Sequence, residues 1–133
     1  MSNVYDEDEK YKPNLNGELD KNGDRLWINS EGEWHREDGP AIEWKDGGKF
    51  WYINDKLHRE DGPAEEYANG TKYWVINGER HREDGPAIEY ANGDESFFIN
   101  GKSIMKDEWI QYLKDGKSSL NQKTELKLIL ENS

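Results

Sequence analysis

An internal repeat of 23 residues constrains this chain more than any other feature of its sequence. The heptapeptide His-Arg-Glu-Asp-Gly-Pro-Ala begins at His35, at His58 and at His81, so successive copies start 23 residues apart. A second string, rich in aromatic residues and ending in Ile-Asn, keeps the same period at residues 50–54, 73–77 and 96–100. A unit this short cannot bury a hydrophobic face alone, so the copies must stack on one another in an array.

Each copy has the pattern of a β-hairpin. Residues 86–90 predict a short strand, Asn92-Gly93 predicts a tight turn, and residues 97–99 predict the return strand. The Asp-Gly-Pro step ends each ladder, because proline has no N–H and glycine tolerates unusual φ values. A degenerate earlier copy at residues 25–29 lies two residues out of step. The predicted fold is mainly β, with an elongated antiparallel sheet of stacked hairpin repeats over residues 15–102.

Alternation along the predicted strands assigns the two faces of this sheet. In the outgoing strands Ile42 and Ile88 are predicted to face the core, and Glu65 occupies the equivalent position. A carboxylate there needs a partner or an opening to water, so Glu65 marks either a gap in the packing or a side that is only partly buried. The return strands have one side that is apolar in all four copies and is predicted to be the core side: Leu26 with Ile28, Trp51 with Ile53, Trp74 with Ile76, and Phe97 with Ile99.

The repeats resemble MORN repeats and their bacterial variants. The resemblance is carried by the period, by the pattern Trp-x-x-Asn-(Gly/Asp)-x-x-His and by the following Tyr-x-x-Gly, most clearly over residues 51–70 and 74–93. Where MORN units continue with Gly-x-Gly, this chain has Arg-Glu-Asp-Gly-Pro-Ala, which is similar to repeats in uncharacterised proteins of bacteriophages and large DNA viruses. The resemblance implies stacked hairpins that act as an interaction scaffold, and a phage or viral origin.

The two ends differ from the repeats. Residues 1–14 are acidic and without periodicity, which predicts a flexible tail. Residues 103–133 change to helical spacing and predict a cap that covers the last hairpin, with a second helical stretch near residues 122–130. The same helices are also suited to dimerisation or to binding a partner. The predicted face of the first helix consists of Met105, Trp109, Ile110 and Leu113.

Charge and composition narrow the classes of partner. The formal net charge is -11, and residues 21–102 carry 11 basic and 18 acidic groups, a net charge of -7. An acidic protein gains nothing from counterion release on a phosphate backbone, so direct nucleic-acid binding is not expected and a basic protein surface is favoured. The charge could equally serve solubility alone. There is no cysteine and no apolar run of membrane length, so we expect no membrane association and a cytoplasmic location, the host cytoplasm if the protein is phage-encoded.

Three sets of residues are candidate sites. His35, His58 and His81 are candidate metal ligands, but their equal repetition in every copy favours a structural role, so we expect no metal and no cofactor. Arg36, Arg59 and Arg82 either pair with carboxylates of adjacent turns or offer guanidinium groups to an anionic ligand. An aromatic and acidic face is the predicted partner-binding surface, and it consists of Trp27, Phe50, Tyr52, Tyr73, Glu43, Glu66 and Glu89.

The sequence favours a protein that is not an enzyme, because it has no recurring nucleophile beside a histidine and no phosphate loop. The first hypothesis is a protein-interaction module: a phage or viral inhibitor that binds a bacterial defence protein of its host through the acidic, aromatic surface. The second is an immunity or antitoxin protein of a toxin pair. The third is a small-molecule binder that sequesters a nucleotide signal.

Overall fold

The computed structural model describes residues 15–116, and in that part of the chain the protein is mainly β, as predicted. The predicted tail at residues 1–14 and the second helical stretch at residues 122–130 lie outside the described residues. The elements, in chain order, are β1 (Asn16–Leu19), β2 (Arg25–Trp27), β3 (Ile42–Glu43), β4 (Lys49–Phe50), β5 (Tyr52–Ile53), β6 (Lys56–Leu57), β7 (Glu65–Glu66), β8 (Lys72–Tyr73), β9 (Val75–Ile76), β10 (Glu79–Arg80), β11 (Ile88–Glu89), β12 (Glu95–Ile99), β13 (Lys102–Ile104) and α1 (Lys106–Lys114).

Nine of these strands form one sheet in the order β1-β2-β3-β4-β7-β8-β11-β12-β13, and every neighbouring pair is antiparallel. The other four form two separate hairpins, β5-β6 and β9-β10. The copies at residues 42–57 and 65–80 therefore each contribute one hairpin to the sheet and then a second, smaller hairpin outside it, whereas the second hairpin of the last copy, β12-β13, belongs to the sheet. No helix interrupts the sheet within residues 15–116, which confirms the predicted continuous array.

The two hairpins of a repeat close with different turns. In the sheet hairpin after β3, the N–H of Gly47 donates to Trp44 O and the N–H of Trp44 donates to Gly48 O, both at 2.9 Å. Gly47 has φ 101°, so this is a three-residue loop with a left-handed glycine. The small hairpins instead turn on Asn54-Asp55 and Asn77-Gly78, whose φ values are all positive, as a two-residue type I′ turn requires.

The first repeat contains one extra residue. The N–H of Trp27 donates to Ala41 O, as the N–H of Trp51 donates to Ala64 O, so Trp27 and Trp51 are structural equivalents. The prediction that paired Leu26 with Trp51 is therefore wrong by one position. The cause is the turn at residues 29–33, where Gly32 closes a three-residue loop in place of the two-residue turn of later copies.

The register of the sheet defines two faces, because residues directly opposite each other on paired strands share a face. We call them the aromatic face and the charged face. The aromatic face contains the row Leu26, Ile42, Phe50, Glu65, Tyr73, Ile88 and Ser96. The charged face contains the row Arg25, Glu43, Lys49, Glu66, Lys72, Glu89 and Glu95.

The buried apolar residues form two small clusters, one near each end of the described chain. Leu15, Leu26 and Ile42 form the first, and Phe97, Ile99, Trp109 and Leu113 form the second. Between them the alanine that ends each heptapeptide is fully buried, at positions 41, 64 and 87. The predicted apolar core side is correct at Leu26 and Phe97 but wrong at Trp51 and Trp74, which are only half-buried and are covered by an arginine guanidinium instead of apolar side chains.

The helix α1 caps the array at the position where a fourth heptapeptide would begin. Trp109 is 1% exposed, its ring lies 4.9 Å from the Phe97 ring, and its Nε1–H donates to Arg82 O at 2.8 Å. Leu113 is also buried, as predicted. Met105 was expected on the same buried face, but it precedes the helix with extended backbone and is 71% exposed.

Candidate partner-binding face

The arginine of each heptapeptide is bound by its own repeat. In the middle copy, Arg59 Nε donates to Asp61 Oδ1 at 3.0 Å, and its Nη1 donates to Pro63 O at 3.0 Å and to Glu66 Oε2 at 3.2 Å. Its Cζ lies 3.9 Å from the centroid of the Trp51 ring, a cation–π contact. Arg36 and Arg82 repeat this arrangement. The three proposed anion-binding groups therefore already use Nε and Nη1 inside the fold.

The glycine of the heptapeptide makes room for this arginine. A Cβ added to Gly62 would lie 2.7 Å from Arg59 Cζ, and the same holds for Gly39 against Arg36. No side chain fits there unless the guanidinium leaves its ring and its acceptors. The Arg-x-Asp-Gly-Pro string is thus a packing unit, in which Arg, Asp and Gly depend on one another.

The histidine of each heptapeptide joins one repeat to the next. His58 Nδ1 accepts a hydrogen bond from the N–H of Asn77 at 2.9 Å, and its Nε2 lies 3.1 Å from Glu60 Oε2. Asn77 opens the type I′ turn of the following repeat, so the ring holds that turn in place. Among residues 15–116 no group of three or more histidine, cysteine or carboxylate side chains is arranged to hold a metal ion.

The predicted partner-binding residues do not share one face. Phe50 lies opposite Ile42 and Glu65 on the aromatic face, whereas Glu66 lies opposite Lys49 and Lys72 on the charged face. The expectation of a single aromatic and acidic surface is therefore wrong, because the register places the two sets on opposite sides of the sheet. The carboxylates of that set also each accept a hydrogen bond from an arginine Nη1, at Glu43, Glu66 and Glu89.

Trp27 is likewise separated from the other aromatic residues. The Arg36 guanidinium lies 3.8 Å from its ring centroid, and a Cβ at Gly17 would lie 2.4 Å from the ring. Tyr52 packs against the N-terminal apolar cluster. Of the four predicted aromatic anchors, Phe50 and Tyr73 are the two that the sheet brings into one row.

A continuous row of rings crosses the aromatic face. The ring centroids are 5.6 Å apart for Trp44 and Phe50, 5.3 Å for Phe50 and Tyr67, and 5.6 Å for Tyr67 and Tyr73. The first two contacts are edge-to-face, a geometry that aromatic pairs prefer. This packing holds each ring in a defined position relative to the sheet.

Three aromatic residues that the sequence analysis did not select are the most exposed on this face. Trp44, Tyr67 and Tyr90 lie 23 residues apart in equivalent positions, just before the sheet-hairpin turn, and are 38%, 39% and 38% exposed. The signal was present in the sequence as the aromatic residue that precedes each Gly-containing turn. It was missed because Trp44 and Tyr90 lie two positions after Ile42 and Ile88, on the side of the strand that was predicted to face the core.

Glu65 lies in the middle of the aromatic face, between Phe50 and Tyr73. The Tyr67 hydroxyl hydrogen-bonds to its carboxylate. Burial raises the pKa of Glu65, against the lowering effects of that hydrogen bond and of Arg80. Burial and the neighbouring Glu65 carboxylate raise the pKa of Tyr67 to about 12, and the same two causes raise the pKa of Tyr52.

Glu65 borders a shallow groove of about 550 Å³ beside the second small hairpin. Tyr67, Tyr73 and Val75 line it with Glu65, and the exposed charges at its rim are Glu79, Arg80 and Lys102. The Arg80 Cζ lies 5.0 Å from the Tyr73 ring centroid. The groove thus combines a half-buried carboxylate with tyrosine rings.

Comparison with protein-family models, with curated proteins and with solved structures finds no match to this chain. Within the described part of the chain, α1 is the one helix and is far too short to cross a bilayer.

Proposed function

We propose that this protein is a non-enzymatic interaction module that binds a basic protein partner through the aromatic face. One observation carries the proposal. Trp44, Tyr67 and Tyr90 repeat at the same position in three successive copies and each leaves more than a third of its surface in water. Large rings held rigidly at a surface are the residues that contribute most to protein–protein interfaces, since burying them costs little conformational entropy.

The charge of the chain favours a basic partner. Residues 15–116 contain 13 basic and 23 acidic side chains, so the described part alone carries a net charge of -10. Several of these carboxylates are exposed, including Glu37 and Asp38 at 82% and 88% exposure. A surface field of this sign speeds encounter with a positively charged protein, and the aromatic contacts then hold the complex together.

The biological setting rests on the resemblance to MORN-like repeats. It implies a scaffold that works by contact, and the heptapeptide string implies a phage or viral source. We therefore propose an inhibitor of a bacterial defence protein that acts in the host cytoplasm, with an immunity protein of a toxin pair as the alternative setting. Sequestration of a nucleotide by Arg36, Arg59 and Arg82 has less support, because two nitrogens of each guanidinium already donate within the fold.

The test is capture from bacterial lysate with wild-type protein and with a triple variant, Trp44→Ala, Tyr67→Ala and Tyr90→Ala. Met105→Ala is the matched control, because Met105 is an exposed apolar residue at the start of the cap helix and is not part of the row of rings. Thermal melting and circular dichroism establish that each variant is folded. A captured protein supports the proposal only if it is basic, is retained by Met105→Ala and is lost by the triple variant.

The kinetics of the captured complex give a second measurement. Raising salt should slow association, because screening acts over about 8 Å at physiological ionic strength. Loss of the aromatic residues should speed dissociation, since anchors of this kind set the lifetime of a complex. Binding that is independent of salt and unchanged in the triple variant would refute the proposal.

A further inference from the structure

The centre of the aromatic face departs from the repeat in a way that points to a ligand. The positions equivalent to Glu65 are Ile42 and Ile88, which are 4% and 2% exposed. Two repeats thus fill this position with an aliphatic side chain, and the middle repeat places a carboxylate there. Packing alone does not account for that choice, because a half-buried carboxylate costs stability unless something compensates its charge.

The surroundings of Glu65 compensate that charge only in part. The Tyr67 hydroxyl donates one hydrogen bond to it. Arg80 attracts it through space, but no ion pair joins the two within the distance at which the arginines of the heptapeptides bind their carboxylates. The guanidinium of Arg80 instead lies over the rings of Tyr73 and Phe98, at 5.0 Å and 5.5 Å from their centroids. The carboxylate therefore retains capacity for a second, closer cation.

The rings beside Glu65 suit the same ligand. The face of a tyrosine ring is electronegative and attracts the ammonium group of lysine or the guanidinium group of arginine, and this attraction is stronger where the groups are removed from water. Arg80 already shows this preference within the chain, since its guanidinium lies over Tyr73. The charged groups at the rim of the groove are exposed, so the half-buried Glu65 is the charge that gains most from a partner.

We propose that Glu65, Tyr67 and Tyr73 form a receptor for one lysine or arginine side chain of the partner protein, with the Glu65 carboxylate as its counter-ion and the two rings as its walls. This inference rests on the proposed function, and it identifies the site where the basic partner is anchored. The neighbouring repeats cannot do the same, because Ile42 and Ile88 have no charge to offer.

The experiment uses small probes of the proposed ligand. Nα-acetyl-lysinamide and Nα-acetyl-argininamide are titrated into the full chain, with Nα-acetyl-norleucinamide as the uncharged match, and the tyrosine ring signals are followed by NMR. We expect both cationic probes to shift the Tyr67 and Tyr73 signals in a saturable way and the norleucine probe to leave them unchanged. In Glu65→Gln the affinity for the cationic probes should fall about tenfold, since a cation–π contact without its counter-ion is weak.

The controls separate charge from structure. Glu65→Gln keeps an acceptor for the Tyr67 hydroxyl, and Glu95→Gln removes an exposed carboxylate from the charged face and should bind like wild type. Guanosine monophosphate is a further probe, because a carboxylate with aromatic walls could also bind a guanine base. Equal binding of the lysine and norleucine probes, an unaffected Glu65→Gln, or competition by the nucleotide at lower concentration than lysinamide would overturn the receptor.

These experiments distinguish failure of the receptor from failure of the proposed function. If the triple aromatic variant loses the captured partner while Glu65→Gln retains it with unchanged affinity, the face binds a partner but the receptor is refuted. If the cationic probes bind in a Glu65-dependent way while the triple variant still captures the partner, the groove binds a cation, but the aromatic face, including the receptor wall Tyr67, is refuted as the interface.

Discussion

Replacing Glu65 with the residue of the neighbouring repeats should stabilise this protein. Full burial of an isoleucine side chain contributes about 1.5–3 kcal/mol, and the groove leaves this position half-buried, so we take about half of that value. Removing the carboxylate also removes its desolvation cost, whereas the hydrogen bond from Tyr67 is lost. The Tyr67 hydroxyl can then turn to water, because Tyr67 is 39% exposed. We expect Glu65→Ile to raise the free energy of unfolding by about 1 kcal/mol at neutral pH, or the melting temperature by about 4 °C.

The pH dependence identifies the cause. Because the folded state raises the pKa of Glu65, its contribution to stability is fully present below the pKa of the unfolded chain and is lost as pH rises through the folded value. The free energy of unfolding of Glu65→Ile should therefore exceed that of wild type by more at pH 7 than at pH 3.5, and Glu65→Gln should show the same trend with a smaller difference. Urea denaturation at both pH values measures these differences. An isoleucine variant that is less stable than wild type at pH 7, or a difference that does not change with pH, would refute the reasoning.

Three further predictions concern the heptapeptide unit. Trp51→Ala should lower the free energy of unfolding, measured by urea denaturation, by about 2–3 kcal/mol. This is less than for a fully buried tryptophan, because the ring is half-buried under Arg59, and a variant as stable as wild type would contradict this packing. Gly62→Ala should lower the free energy of unfolding by about 1–2 kcal/mol, because the new Cβ displaces the Arg59 guanidinium. In an Arg59→Ala background the same change should lower it much less, and an equal loss in both backgrounds would argue against this contact. Chelator treatment should leave the melting temperature unchanged, because each histidine ring already uses Nδ1 and Nε2 within the array, and a clear loss of stability would point to a metal ion.

The sequence predicted only part of the candidate site. Glu65 was recognised as an exception because Ile42 and Ile88 occupy the same place in the repeat, a comparison that needs no coordinates. Its neighbours were not identified, since Tyr67 was not among the predicted site residues and the acidic residues Glu43, Glu66 and Glu89 were predicted to share a face with the aromatic ones. The contacts of Arg59 with Trp51 and Glu66 were also not predicted, because they join residues 8 and 7 positions apart across a turn of unusual geometry.

The sequence by itself determined the features that depend on neighbouring residues. The period required an array, Asn-Gly and Asp-Gly steps specified most of the hairpin turns, and the change of spacing after Gly101 specified a helical cap with Trp109 and Leu113 buried. These are short-range relations, in which a residue type restricts its own φ and ψ or those of the next turn. These short-range relations are the same whatever the register of the strands.

Only the tertiary structure decided which residues share a face. The strands of the central repeats are two residues long, so alternation within one strand carries almost no information about its partner. A shift of one residue in the pairing moves every side chain to the opposite face, and the extra residue in the turn at residues 29–33 produces such a shift between Trp27 and Trp51. Hydrogen bonds between strands that are distant in the chain select the register, and that selection separates the aromatic face from the charged face.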